Sequence, residues 1–369
     1  MVSPMQRALE LARRALGAAS PNPAVGAVIV APDGAIVGQG FTQPPPGDHA
    51  EIVALKQAGE RARGATMYVT LEPCCHHGRT PPCTDAIVAA GVAEVHYATA
   101  DPDPKVNGGG RRALEAAGIA VTMGEGDTEA RRLNEAYLKH RTHGLPFVIA
   151  KFAASLDGRI AAASGDSHSV SGPEARAWAH RLRTQVDAIL VGSSTILIDD
   201  PVLTARPGDH DAERQPLRIV VDTRGRIPPM ARVLGGPANT LIATARDAPA
   251  PWRATIEAAG AEVVPFSRHG DHVDLLALLK ELARRDILSL LVEGGSVILG
   301  SFFDRALVDK VHALIAPIIV GAADAPAAVA GRGAYRIADA LRLRDITVDR
   351  LGEDILVTGY PVYPEASDE

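Results

Sequence analysis

Two short clusters near the start of this chain set the first demand on its fold. One is His49-Ala50-Glu51, and the other is Pro73-Cys74-Cys75-His76-His77-Gly78-Arg79-Thr80-Pro81-Pro82-Cys83. Together they offer an imidazole, two thiols and a free carboxylate. Zinc takes nitrogen and sulfur ligands, and a catalytic zinc keeps one of its four positions open for water. His49, Cys74 and Cys83 would supply three ligands. Glu51 is then left to move protons for a water made more acidic by the ion. That combination is the zinc-deaminase scheme, in which an amine on a ring is replaced by oxygen. Residue types alone also leave room for a structural zinc, with His76, His77 or Cys75 as a fourth ligand. Any fold for this chain must bring these separated segments to one point.

The surrounding pattern predicts a layered α/β domain. Met5 to Gly17 reads as an amphipathic helix, Ala24 to Val30 and Ala35 to Phe41 as a hairpin around the turn Asp33-Gly34, and His49 to Gln57 as a helix starting near the histidine. Thr66 to Leu71 reads as a strand, Cys83 to Ala90 as a helix stopped by Gly91, and Val92 to Ala98 as a strand. Arg111 to Ala117, Val121 to Met123 and Thr128 to His140 complete a helix, a strand and a helix. Cys74 thus falls just past a strand and Cys83 at a helix start, where a thiolate is favoured. His49 and Glu51 fall in a first helical turn, from which both can point into one pocket.

The chain runs to 369 residues, enough for a second domain. Gly144-Leu145-Pro146 ends the helical pattern and gives the boundary, dividing the chain into residues 1–144 and 145–369. Beyond it, Phe147 to Ala154, Ala188 to Gly192, Leu217 to Asp222, Thr240 to Thr244, Ala261 to Phe266 and Leu288 to Val292 read as buried strands. Helices are expected from Pro173 to Arg183, Trp252 to Ala258, Val273 to Arg285 and Val297 to Phe303, with closing strands at Lys310 to Val320 and Asp354 to Val357. This is a second α/β domain and not a repeat of the first. It has no GxGxxG. Val292-Glu293-Gly294-Gly295-Ser296, between a strand and a helix, is either a tight turn or a place where phosphate approaches a helix start.

Composition narrows the class. Three cysteines do not make a disulfide scaffold. A net charge of −6 gives no electrostatic basis for nucleic-acid binding. The N-terminal segment lacks an apolar signal core, and no run of apolar residues is long enough to span a bilayer. A cytoplasmic protein without membrane or nucleic-acid partners is the expectation.

The string TLEPCCHHGRTPPC, together with Pro21-Asn22-Pro23-Ala24-Val25-Gly26 and Asp101-Pro102-Asp103-Pro104, resembles the deaminase half of the bifunctional riboflavin-biosynthesis deaminase/reductase family. KFAASLDGRIA, SGDSHSVSG, GSSTILIDDPVLTAR and LVEGGSVI resemble its reductase half, so the resemblance spans nearly the whole chain. It implies a cytidine-deaminase-like α/β/α sandwich followed by a dihydrofolate-reductase-like α/β domain. It implies one zinc per chain, NADPH, and a small phosphorylated pyrimidine as substrate. The first domain would deaminate 2,5-diamino-6-(5-phosphoribosylamino)pyrimidin-4(3H)-one, and the second would reduce the ribosyl group, giving 5-amino-6-(5-phosphoribitylamino)uracil.

By the same resemblance Asn22 and His76 meet the pyrimidine, and Asp101 and its neighbours shape the pocket rim. Ser167, Arg183, Leu203, Arg206 and Glu293 meet the phosphoribosyl substrate. Ala153, Ser169, Thr195, Asp199, Gly294, Gly295, Ser296, Val297, Ile298 and Leu299 hold NADPH, and Lys151 sits near hydride transfer. Three positions depart from the family pattern: Cys75 stands where serine is usual, Asp103 where asparagine is usual, and Ser169 where some relatives carry an aromatic ring. The resemblance also implies a homodimer or higher homo-oligomer. A nucleoside or transfer-RNA deaminase and a zinc-stabilised binding module without activity are the rival readings. The tail from Tyr363 onward is expected to fray.

Overall fold

The computed structural model describes residues 2–77, 81–167 and 170–364. The chain divides into two compact units, Met1–Leu145 and Pro146–Glu369.

The first unit is a five-stranded sheet in the order β2-β1-β3-β4-β5. Helix α1 (Pro4–Arg13) precedes the hairpin β1 (Gly26–Val30) and β2 (Ile36–Phe41). Then come α2 (Ala50–Ala58), β3 (Thr66–Leu71), α3 (Cys83–Ala90), β4 (Glu94–Thr99), α4 (Gly109–Ala116) and β5 (Ala120–Met123). Strand β1 is antiparallel to both β2 and β3, while β3, β4 and β5 run parallel. A capping box starts α1: the Ser3 hydroxyl accepts from Gln6 N, and Gln6 Oε1 accepts from Ser3 N. The helix stops four residues short of Gly17 because the next amides, Arg14 N and Ala15 N, bond back to Leu11 O and Ala12 O in a tighter turn. One face of the sheet packs Val28 and Ala98 against Met5, Ala8 and Leu9 of α1. On the other face α2 lies directly over β2. A Cβ at Gly38 or Gly40 would run into the α2 carbonyls of Ala54 and Ala50. Those two glycines set the depth at which the start of α2 sits.

The predicted helix from Thr128 to His140 is instead two helices, α5 (Asp127–Leu133) and α6 (Glu135–His143). Asn134 breaks it. Its side-chain oxygen accepts from Ala24 N at 2.8 Å and its amide donates to Ala24 O at 3.0 Å. A buried Asn with two fixed backbone partners outweighs the helical period of the flanking residues.

The second unit is built on a nine-stranded sheet in the order β10-β9-β8-β7-β13-β6-β14-β16-β15. In chain order it begins with β6 (Phe147–Ser155), α7 (Pro173–Gln185), β7 (Ala188–Gly192), α8 (Ser193–Asp199), β8 (Leu217–Val221), β9 (Thr240–Ala245), α9 (Ala250–Ala258) and β10 (Glu262–Phe266). A two-residue ribbon, β11 (Arg268–His269) and β12 (His272–Val273), leads to α10 (Leu275–Arg284), β13 (Ser289–Gly294) and α11 (Ser296–Phe303). Strands β14 (Lys310–Ala316), β15 (Arg342–Leu351) and β16 (Asp354–Val362) close it. From β10 to β14 every pairing is parallel, and the last two strands return antiparallel. Strands β7 and β9 are buried throughout, as a parallel sheet covered on both faces requires.

Besides the β11–β12 ribbon, three features stand outside the expected pattern. Helix α8 follows β7 without a loop, β16 extends to Val362, and β15 is present at all. Strand β15 is almost wholly exposed and carries charges at Arg342, Arg344, Asp345, Asp349 and Arg350, so no buried period marks it. Tyr363 is anchored and not frayed: its hydroxyl donates to Val308 O at 3.1 Å.

Candidate active sites

The first site gathers at the ends of β3, α2 and α3. His49 is the N-cap residue of α2 in extended conformation, and its ring makes no capping bond to the helix. Cys83 is the first residue of α3, and its backbone amide donates to Cys74 Sγ at 3.3 Å. His49 Nδ1 lies 3.3 Å from Cys83 Sγ and 3.7 Å from Cys74 Sγ. The three ligand atoms all fall within 4.8 Å of one another. Among the described residues no fourth protein ligand joins this group: His77 is exposed, and Cys75 Sγ turns to Lys105 O at 3.8 Å. One nitrogen and two sulfurs with a position left over is the donor set of an open zinc site. The two sulfurs are hydrogen-bonded to each other. Their mutual hydrogen bond, set against burial, holds Cys74 down at about 4, and the same bond with burial pushes Cys83 up. The bond to Cys74 also raises His49 against the effect of burial.

Glu51 stands beside this trio in the first turn of α2 and is only 4% exposed. Burial, then the charge of Cys74, pushes its carboxyl above the usual range. A buried carboxylate next to the ligand set but outside it is placed to carry protons.

Sequence reasoning missed Glu72. Its buried carboxylate accepts from Gly108 N and Arg111 N at 3.0 Å each and from Asp101 N at 3.4 Å. It thereby ties the 101–108 loop to the strand end that delivers Cys74. A buried acid inside the motif string was the signal available. Burial pushes Asp101 up to about 6 although the Asp103 amide and the Tyr137 hydroxyl both donate to it. Asp103, the departure from asparagine, is held by Arg141 at 3.5 Å and accepts from Lys105 N. His76 keeps a buried ring nitrogen, Nδ1, without a partner, and Asn22 is half-buried. Arg79, between the two cysteines, lies outside the described residues.

The second unit holds a cavity of about 400 Å³ between the starts of α8 and α11. Ser167, Thr195, Asp199, Gly295, Ser296, Val297 and Ile298 line it, and Ser167 Oγ donates to Asp199 at 2.8 Å. Gly294 has φ 111°, which favours glycine at the turn into α11. This loop and the open start of α11 fit a dinucleotide phosphate. Three arginines that sequence reasoning missed, Arg224, Arg226 and Arg305, also line the cavity, and Arg226 donates to Ser193 Oγ at 2.6 Å. Ala153, Gly294 and Leu299 are not on its wall. Ala153 packs beside Leu314 and Leu356, and Leu299 is buried in the core. Ser169 lies outside the described residues.

The remaining predicted residues form a polar cluster next to that loop. Arg183 and Glu293 make a two-pronged ion pair at 2.9 and 2.7 Å, and Arg183 Nη1 also donates to Thr204 O at 2.9 Å. Burial works against the Glu293 charge, but Arg183 and Lys151 hold it at about 2. Burial lowers Lys151 while Glu293 opposes the shift. Arg206 bonds the Thr204 hydroxyl through Nη1, and its amide donates to His180 Nδ1. Burial with Arg183 and Arg206 pushes His180 down to about 4. Leu203 packs its side chain into the core against Ile189 and Val220, so any ligand contact there falls to its backbone.

No helix among the described residues is long and apolar enough to cross a membrane. Residues 3–99 match the family model for the cytidine and deoxycytidylate deaminase zinc-binding region, and residues 146–357 match the RibD C-terminal domain. The riboflavin biosynthesis protein RibD of Escherichia coli is 42% identical over 361 residues, covering 95% of this chain and 96% of that one. RibD of Mycobacterium tuberculosis is 42% identical over 357 residues, covering 96% and 95%. Among solved structures, form 1 of Acinetobacter baumannii RibD superposes with a TM-score of 0.88 at 38% identity, covering 97% of this chain and 98% of its own. A Thermotoga maritima diaminohydroxyphosphoribosylaminopyrimidine deaminase/5-amino-6-(5-phosphoribosylamino)uracil reductase superposes at 0.84 with 34% identity and the same coverage. A buried carboxylate beside one imidazole and two thiols, a second unit with a glycine-turn cavity, and relatives matched from end to end agree: the chain belongs to the RibD family of riboflavin biosynthesis proteins.

Proposed function

We propose that the first unit hydrolyses the ring amine of 2,5-diamino-6-(5-phosphoribosylamino)pyrimidin-4(3H)-one and that the second reduces the ribosyl group of the product to ribityl with NADPH. The observation that carries this reading is the pairing of His49, Cys74 and Cys83 around one point with the buried Glu51 beside them.

His49, Cys74 and Cys83 hold the zinc, which supplies Lewis acidity at the attacking water. Glu51 would carry one proton from that water to the ring nitrogen, and then a second, from the hydroxyl now on the carbon, to the departing amine. A carbon–oxygen bond forms, the carbon–nitrogen bond breaks, and ammonia leaves. His76 offers a ring nitrogen and Asn22 an amide to orient the pyrimidine. Glu72 and Asp101 keep the rim in place without entering the reaction.

In the second unit Thr195, Asp199 and the Gly295–Ile298 turn hold NADPH, which supplies the hydride. Lys151 keeps a proton at Nζ beside the opened sugar carbonyl and polarises it. Its burial makes that proton easier to give up. Arg206 faces the substrate phosphate, because Arg183 gives its planar edge to Glu293.

The test uses one sample in two steps. Zinc-loaded protein without NADPH releases one ammonia per diaminopyrimidine phosphate, and NADPH is then consumed on the deaminated product. Turnover of cytidine or an RNA hairpin, with none of the pyrimidine phosphate, rejects the reading. A homodimer or higher homo-oligomer belongs to the same proposal, supported by Ile346, Val348 and Ile355 exposed on the edge hairpin β15–β16. Sedimentation as a monomer alone at micromolar concentration rejects that part. The cytoplasm is the proposed compartment, in keeping with three unpaired cysteines.

A further inference from the structure

We infer that Arg218 is a positioning residue for the reductase, fixing from inside the sheet the Asp200–Arg206 segment that carries proposed substrate contacts. The inference rests on the reductase reading above.

Arg218 is the second residue of β8 and is 1% exposed. Its guanidinium meets no carboxylate among the described residues. Nη1 donates to Val202 O at 3.1 Å and Gly235 O at 2.8 Å, Nη2 donates to Ala238 O, and Nε has no partner. A buried cation satisfied only by carbonyls is costly, and an apolar side chain would fill a strand position at lower cost. What the guanidinium provides instead is a bracket. It joins the backbone just before Leu203 to the turn that leads into β9.

The bracketed segment needs holding. Asp200 has φ 38° and Leu203 has φ 56°, both in the left-handed region that side chains disfavour. Such residues persist only where their surroundings leave no alternative. The segment's tethers include Arg232 N to Asp200 Oδ1 at 2.8 Å, Arg218 to Val202 O, Arg183 Nη1 to Thr204 O and, at its end, Gln215 on Ala205 and His180 on Arg206 N. The first acts at the start of the segment and the third comes from the proposed substrate cluster itself. Of these hydrogen bonds, the one from Arg218 ties the segment's middle to a sheet strand, beside the packing of the Leu203 side chain. With the Leu203 side chain committed to the core, the direction of its backbone and the placement of Arg206 both follow from how Val202 is held.

The test compares Arg218→Met, Arg218→Lys and Asp200→Gly in the full-length, zinc-loaded protein. Ammonia release, NADPH affinity by fluorescence titration, and KM and kcat for the deaminated phosphoribosyl substrate are each measured. For Arg218→Met the expected result is unchanged ammonia release, NADPH affinity within twofold, and a KM raised at least tenfold with kcat changed less than threefold. Arg218→Lys, which keeps one donor group, recovers part of that KM. An unchanged KM, or NADPH affinity falling in step with KM, overturns the inference, the latter marking general loosening of the unit. Should Arg218→Met fail to fold, Asp200→Gly decides: a raised KM with unchanged NADPH affinity supports the inference and an unchanged KM overturns it. Absence of any reductase activity in the unaltered protein would instead reject the underlying functional reading.

Discussion

In the first unit three ligand atoms from two helix starts and a strand end lie within 4.8 Å, and the proton carrier is two residues from one of them. In the second unit the residues proposed for reduction are spread from β6 to α11, and several spend their polar groups on one another before meeting any ligand. The first arrangement waits for an ion to complete it. The second already holds an ion pair, Arg183 against Glu293, with Lys151 and Arg206 beside it. Single changes should therefore act through chemistry in the first unit and through folding in the second.

The sharpest way to break this contrast is Glu51→Gln. Ammonia release should fall by about 10²–10⁴-fold, while bound zinc and NADPH consumption on supplied deaminated product stay unchanged. Zinc loss in that variant would turn the effect into a structural one. Glu293→Ala comes next. Leaving Arg183 as an unpaired buried charge should destabilise the second unit by about 3–5 kcal/mol. Thermal unfolding followed by NADPH binding should show the loss, with ammonia release retained, and an unshifted midpoint refutes the weight given to this ion pair.

Acid should separate the two units with opposite signs. Asp101, raised to about 6 by burial, favours the folded state when protonated. Its contribution is complete below the unfolded value near 4 and is lost as pH rises through about 6, a change of about 3 kcal/mol. His312 is pushed down to about 3 by burial and Lys310. Its contribution is present above about 6.5 and is lost as pH falls towards its folded value. Between pH 6.5 and 4.5 NADPH binding should thus become heat-labile before ammonia release does, and Asp101→Asn should flatten the profile of the first unit. Parallel loss of both activities would contradict this. Smallest of all, Cys75→Ser should change ammonia release by less than about twofold, because the thiol turns to Lys105 O and Gly109 and not to the ligand trio. A larger change would give Cys75 a part in the site that the geometry does not.

How far the sequence could be read follows the same division. His49, Cys74 and Cys83 were legible because each sits at an element end that its neighbours announce: Pro82 before α3, the strand run before Cys74, and the helical pattern after His49. Residue type and spacing pointed to zinc before any fold was known. Nothing comparable marks Arg224 and Arg226, in the turn after β8, and Arg305, which follows α11; they share a wall only once the sheet has formed. Arg218 is harder still, since Leu217 to Asp222 reads as a buried strand and nothing near it announces which carbonyls its arginine meets. Asn134 broke a helix through a partner 110 residues away, which no local pattern could reveal. Long-range polar contacts are where periodicity carries no information.

The strand order of the second unit also bears on how the chain is made. Strand β6 leaves the ribosome first in its unit, yet its sheet neighbours are β13 and β14, which are synthesised more than a hundred residues later. At roughly 5–20 residues per second, that apolar strand waits several seconds or longer for both partners. The first unit has no such delay, because its sheet is complete once β5 has emerged. Strand β6 is therefore the strand of its sheet that goes longest without a partner, and the first sheet closes before it.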